Sequence, residues 1–65
     1  MITTNTYTVG ILLCGQFRDL LQREIFKGLD ITFYEGRGFL NREFLVRGTL
    51  DDLLYIRRLV EPLLE

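Results

Sequence analysis

Hydrophobic and polar residues alternate in three segments of the chain, and this period of two is typical of β-strands with one buried face. The segments are residues 7–14, 29–35 and 39–47. The faces that the alternation directs toward a core carry Tyr7, Val9, Ile11 and Leu13 in the first segment, Leu29, Ile31 and Phe33 in the second, and Leu40, Phe44 and Val46 in the third. Arg42 interrupts the third face, so it requires a carboxylate partner, an escape to the sheet edge or a different register.

Two further segments have the spacing of amphipathic helices, with apolar residues three and four positions apart. Residues 16–27 end at Gly28, which suits the left-handed conformation that follows many helices. Residues 50–64 follow Thr49, a residue whose hydroxyl can cap a helix N-terminus. Pro62 lacks a backbone donor, so we expect the last turn of the second helix to kink or fray.

The element order is therefore β-α-β-β-α, which predicts an α+β fold of the split βαβ type. We expect a three-stranded, mostly antiparallel sheet of order 1-3-2, with both helices packed on one face. An alternative order places the first strand beside the second. We expect residues 1–65 to form a single small domain, with residues 1–5 flexible. Gly36 and Gly38 are expected to adopt positive φ in a tight turn between the second and third strands.

The composition excludes most catalytic and metal-binding chemistry. The chain has no histidine, no serine and one cysteine, so it lacks the usual general base, the usual metal ligand and any intramolecular disulfide. We therefore expect a protein that is not an enzyme and that holds neither a metal nor a cofactor. Cys14 leaves one alternative, an enzyme with a thiol nucleophile, although a buried structural cysteine explains the residue better.

The sequence contains no recognisable targeting or membrane segment. Residues 1–10 lack the positive charge of a signal peptide, and the apolar run at 9–14 is too short to span a membrane. We therefore expect a cytoplasmic protein without a membrane partner. The net charge of −1 provides no general attraction to nucleic acid.

One surface follows from the predicted sheet order, which leaves the first strand at an edge. Its apolar, uncharged run would be an unprotected edge, and soluble proteins rarely leave such an edge unpaired. Pairing with a second copy or with another protein would cover it, so we expect a protein-interaction module of the adaptor, regulator or inhibitor type that forms a homo-oligomer. The interface residues would be Val9, Ile11, Leu12 and Leu13.

A second surface is the sheet face that the helices leave open, together with the turn near residue 37. Its candidate binding residues are Tyr34, Arg37, Phe39, Leu45 and Arg47. The run RGFLNREF at 37–44 matches four of eight positions of the RRM signature, with Asn41 in place of an aromatic that stacks on RNA. We do not place the chain in that family. Binding of single-stranded nucleic acid remains the alternative function.

Overall fold

The computed structural model describes residues 1–64 of the chain. Its elements are β1 (Ile2–Gly10), α1 (Cys14–Phe26), β2 (Thr32–Glu35), β3 (Asn41–Thr49) and α2 (Leu50–Leu64). The three strands form one sheet of order β1-β3-β2, and both neighbouring pairs are antiparallel. The predicted α+β fold with its inserted third strand is confirmed, and the alternative that placed the first strand beside the second is wrong.

The core lies between one face of the sheet and the two helices. Phe17 of α1 packs on Phe44 of β3 with their ring centroids 4.6 Å apart. The buried apolar residues form one cluster, made of Val9, Cys14, Phe17, Leu21, Ile31, Phe44, Val46, Leu53, Ile56 and Val60. The cluster draws on both helices but on only one face of β1 and β3, and the partly buried Phe33 of β2 packs against it from the same face. The opposite face of the sheet is therefore left open.

Both predicted helix caps are present. Gly28 has φ of 113°, a conformation that residues with a side chain rarely adopt, and its N–H donates to the Ile25 carbonyl (3.0 Å). The Leu29 N–H reaches back to the Glu24 carbonyl (3.1 Å), which completes a Schellman motif at the end of α1. At the start of α2, the hydroxyl of Thr49 accepts the N–H of Asp52 (3.3 Å). α2 continues through its internal proline to Leu64.

The predicted boundaries of the first strand are wrong, because β1 covers residues 2–10 rather than 7–14. Its first half pairs with the end of β3, from Ile2 opposite Thr49 to Asn5 opposite Val46. The alternation in this half is hidden in the sequence because the inward positions carry polar side chains. The apolar residues 11–13, which we expected to extend the strand, form the turn that leads into α1.

The connection between β2 and β3 also differs from the predicted tight turn. It contains five residues, 36–40, and neither glycine in it has positive φ. Gly38 is required for a different reason, since a Cβ at this position would overlap the carbonyl group of Asn41. The Gly36 N–H extends the ladder by donating to the Glu43 carbonyl (2.7 Å).

Candidate functional site

The four residues predicted to form an interacting strand edge lie at the end of β1 and just beyond it. Val9 belongs to the core, and its side chain is completely buried. In the turn that follows, the Leu13 N–H donates to the Gly10 carbonyl (2.9 Å). There Leu12 is 91% exposed, Ile11 is partly exposed and Leu13 is half-buried. The free edge of the sheet therefore begins nearer the N-terminus than the sequence pattern indicated.

Two hydrogen bonds at the ends of the ladders identify which backbone groups of β1 are unpaired. The Ile11 N–H donates to the Leu40 carbonyl (2.9 Å) on the β1 side of β3, and the Gly36 N–H donates to Glu43 on the β2 side. Hydrogen-bonded and non-bonded positions alternate along antiparallel strands. These two bonds show that the backbone N–H and C=O groups of even-numbered β3 residues face β1, and that those of odd-numbered β3 residues face β2. On β1, the outward backbone groups belong to Ile2, Thr4, Thr6, Thr8 and Gly10, and of these the Gly10 carbonyl already accepts the Leu13 N–H.

We call this row of backbone groups the β1 outer edge. No strand pairs with it within residues 1–64. The strand has nine residues and contains neither a charged side chain nor a proline, the two devices that most often protect a sheet edge. The side chains of Thr4, Thr6 and Thr8 are exposed on the open face of the sheet. The sequence pattern placed Thr8 in the first strand but missed Thr4 and Thr6, although β-branched side chains at every second position favour a strand.

α2 runs above the β1 outer edge on the other side of the sheet. Near its start, Leu50 shares a surface depression with Met1 and Thr3. Two turns later, Arg57 lines a second depression with residues 5–7 of β1. Any chain that pairs with the β1 outer edge would therefore also meet this side of α2.

The open face brings three of the five predicted binding residues together. Tyr34 lies directly opposite Leu45 in the β2–β3 ladder, and Arg47 is the next outward residue along β3. Tyr34 is 67% exposed, whereas Leu45 is 38% exposed. Arg37 and Phe39 lie in the connection at 36–40 instead, where the Phe39 side chain is 91% exposed.

Arg42 points toward the helices, as the alternation in the sequence requires, and it has the carboxylate partner that such a position needs. Its Nη1 donates to Oε2 of Glu35 (2.7 Å). The other oxygen of Glu35 lies 3.1 Å from Nε of Arg18 on α1, although that nitrogen is not oriented to donate a hydrogen bond. One carboxylate therefore joins two arginines at the end of β2 and ties the strand to α1.

A second buried carboxylate joins the two helices. Glu24 of α1 is only 4% exposed and accepts a hydrogen bond from the Tyr55 hydroxyl of α2 (2.9 Å). This hydrogen bond, helped by the charges of Lys27 and Arg23, lowers the pKa of Glu24 and outweighs the effect of burial, which raises it. The same bond raises the pKa of Tyr55, so the hydroxyl remains a donor. The hydrogen bond between Glu24 and Tyr55 therefore links α1 to α2 and has a structural role.

Cys14 is the first residue of α1 and is 2% exposed. Its sulfur faces the carbonyl oxygens of Gly10 (3.4 Å) and Val9 (3.6 Å), so a substrate has no direct route to it. Within residues 1–64, no cluster of cysteine and acidic side chains is placed to hold a metal ion. Over the same range, neither helix combines the length and apolarity needed to cross a membrane.

The unpaired backbone of β1, rather than any reactive group, is therefore the most distinctive feature of the molecule. No protein-family model, curated protein or solved structure gives a significant match to this chain.

Proposed function

We propose that this chain is a small non-enzymatic protein-interaction module, of the adaptor, regulator or inhibitor type, which self-associates through the β1 outer edge. The observation that supports this function is the row of outward N–H and C=O groups from Ile2 to the Gly10 N–H, none of which pairs with a strand within residues 1–64. Addition of a strand to such a row is a common way for proteins to bind extended segments, because the backbone supplies affinity whatever the side chains are.

Backbone hydrogen bonding would contribute to occupation of this edge and offset part of the entropy that association costs. Each backbone hydrogen bond that forms on association contributes about 0.5–1.5 kcal/mol net, so the several bonds along a nine-residue strand add up to a substantial contribution. A chain of 65 residues has a small core, and an additional interface compensates for that. The proposal keeps two expectations drawn from the sequence, namely that the chain associates with itself and that it acts in the cytoplasm.

A proline at Thr6 tests the proposal because it separates association from folding. The Thr6 N–H points away from β3, so Thr6→Pro removes a donor from the β1 outer edge and none from the β1–β3 ladder. Thr6→Val is the matched control, since it keeps the donor and the strand propensity.

We expect the native chain and Thr6→Val to be dimeric by light scattering, and Thr6→Pro to be a monomer with native-like circular dichroism. A monomeric native chain across the accessible concentration range would overturn self-association. A folded Thr6→Pro variant that remains dimeric would exclude the β1 outer edge as the interface.

Nucleic-acid binding is the second candidate, and the exposed pair formed by Tyr34 and its neighbour Arg47 on the open face is the observation that favours it. An exposed aromatic ring can stack on a base while arginine contacts a phosphate. Such binding would weaken steeply with salt. If a fluorescent single-stranded oligonucleotide shows no binding at low salt, this candidate is excluded; if it binds, Tyr34→Ala should abolish binding.

A further inference from the structure

We infer that the β1 outer edge binds a second copy of this chain, antiparallel, with Thr6 of each copy opposite Thr6 of the other across a two-fold axis. The inference rests on the proposed function and specifies the partner and register at the same edge. β1 extends from Ile2 to Gly10, and Thr6 is its middle residue. The outward residues are thus placed symmetrically about Thr6, as an interface that pairs with itself requires.

This register uses the full length of the strand. With Thr6 on the axis, Thr4 lies opposite Thr8 of the second copy, and Ile2 lies opposite Gly10 of the second copy. Each opposing pair of threonines exchanges two backbone hydrogen bonds, because these residues carry the outward groups. At the ends of the paired strands Gly10 offers only its N–H, since its carbonyl accepts the Leu13 N–H. Shifting the centre to Thr4 or Thr8 would leave four residues at one end of each strand unpaired.

The side chains at the two ends of β1 favour a copy of the same chain as the partner. Met1 is fully exposed and Ile2 is 59% exposed at one end, whereas Leu12 is 91% exposed and Ile11 is partly exposed at the other. Antiparallel pairing places Met1 and Ile2 of one copy beside the turn of the other copy that carries Ile11 and Leu12. Four exposed apolar side chains in each copy are then brought together, and none of the four carries a charge.

The side of α2 above the edge is also self-complementary. Leu50, Leu54, Arg57 and Glu61 are exposed and lie along one stripe of the helix. Because Leu50 and Arg57 line depressions beside β1, the two-fold axis brings the stripes of both copies face to face. Each stripe carries one cation and one anion, which already pair within the chain (Arg57 Nε to Glu61 Oε1, 3.0 Å). These two charges of the stripe therefore cancel, and Asp51, which lines the same depression as Leu50, is exposed beside it.

The resulting assembly is a continuous six-stranded sheet with one open face. Since Thr6 lies opposite Leu45 and Leu45 opposite Tyr34, these three residues form one row across each copy. Since the two-fold axis places the two Thr6 residues opposite each other, the rows of the two copies form one continuous row of six residues. The open face of the dimer is thus a single surface with the same apolar residues repeated on both sides of the axis.

Cysteine cross-linking tests the register directly. Thr4→Cys, Thr6→Cys and Thr8→Cys place thiols at three exposed positions, and the native chain, which has only the buried Cys14, is the control. The chains are treated with a thiol cross-linker that spans less than about 10 Å, because two Thr4 positions would lie about 13 Å apart along the strands in this register. A mixture of Thr4→Cys with ¹⁵N-labelled Thr8→Cys allows mixed dimers to be recognised by mass.

We expect Thr6→Cys to cross-link with itself at least about tenfold faster than either other variant alone. The Thr4→Cys and Thr8→Cys mixture should give the mixed dimer as its main product. Rapid self-cross-linking of Thr4→Cys or Thr8→Cys would overturn the register while leaving the edge as the interface, which the Thr6→Pro variant tests separately. A dimer that cross-links at none of these positions would overturn the inference altogether.

Discussion

The two edges of the sheet differ in length and in charge. β1 presents nine residues without a charged side chain, whereas β2 presents four residues and ends at Glu35. At the β2 edge, only Phe33 and Glu35 direct backbone groups outward, and Glu35 is held between two arginines. The short β2 edge therefore has the features that discourage strand addition, and the β1 outer edge has none of them.

This difference between the two edges indicates which of them would accept another chain. A sheet with two equally open edges could add chains on both sides and grow into a filament, because each new copy would offer another free edge. With β2 short and charged, pairing at β1 closes after one partner. The unequal edges thus favour a defined dimer over extended aggregates.

The largest effect on stability is expected from Glu35→Gln, which removes the carboxylate that Arg18 and Arg42 share. Arg42 would then be left partly buried without its partner, so the free energy of unfolding should fall by about 1 kcal/mol. Chemical denaturation measures the change. Glu43→Gln is the matched control, because Glu43 is exposed on the open face of β3 and its loss should have little effect. Equal losses in the two variants would show that the arginine cluster does not anchor the β2 edge.

Acid should weaken the helix layer without acting on the uncharged β1 edge. The pKa of Glu24 is lowered below its usual value of 4.5, so its ionised form stabilises the fold above that pH, and this contribution disappears as the pH falls below 4.5. Tyr55→Phe removes the hydrogen bond that is the main cause of the lowered pKa. Its urea midpoint should be below that of the native chain at pH 7, and the two should converge toward pH 3. A constant difference at all pH values would contradict the assigned role of Glu24.

At the end of the β1 edge, the expected effect is on dimerisation and not on folding. Leu12 is exposed in the monomer and would be only partly covered in the dimer, so Leu12→Lys should weaken dimerisation by roughly fivefold and leave the monomer folded. Phe26→Lys is the control, since Phe26 is 92% exposed at the end of α1. Sedimentation over a range of concentrations measures both constants. A Leu12→Lys variant that dimerises as tightly as the native chain would remove this turn from the interface.

The sequence predicted those parts of the fold in which the spacing of hydrophobic residues matches the positions that are buried. The order of elements and the inward position of Arg42 follow from side-chain patterns that the core enforces. The helix caps at Thr49 and Gly28 follow from local residue preferences instead. The partner of Arg42 did not follow, because Glu35 and Arg42 meet only through the register of β2 against β3.

The start of β1 could not be predicted in the same way. Thr3 and Asn5 occupy inward positions but are only half-buried, so polar residues are tolerated there and the alternation is lost. Conversely, the apolar residues 11–13 have the pattern of a strand, but they form the turn that leads into α1. The candidate site was misplaced by several residues for this reason.

Amide hydrogen exchange of β1 is the most direct test of whether a second chain occupies the outer edge. The amides of Asn5, Tyr7 and Val9 point toward β3 and should exchange slowly at every concentration. The amides of Thr4, Thr6 and Thr8 point outward, so we predict slow exchange in the dimer and fast exchange after dilution. Fast exchange of these three threonine amides at all concentrations would contradict the pairing of β1 with a second copy.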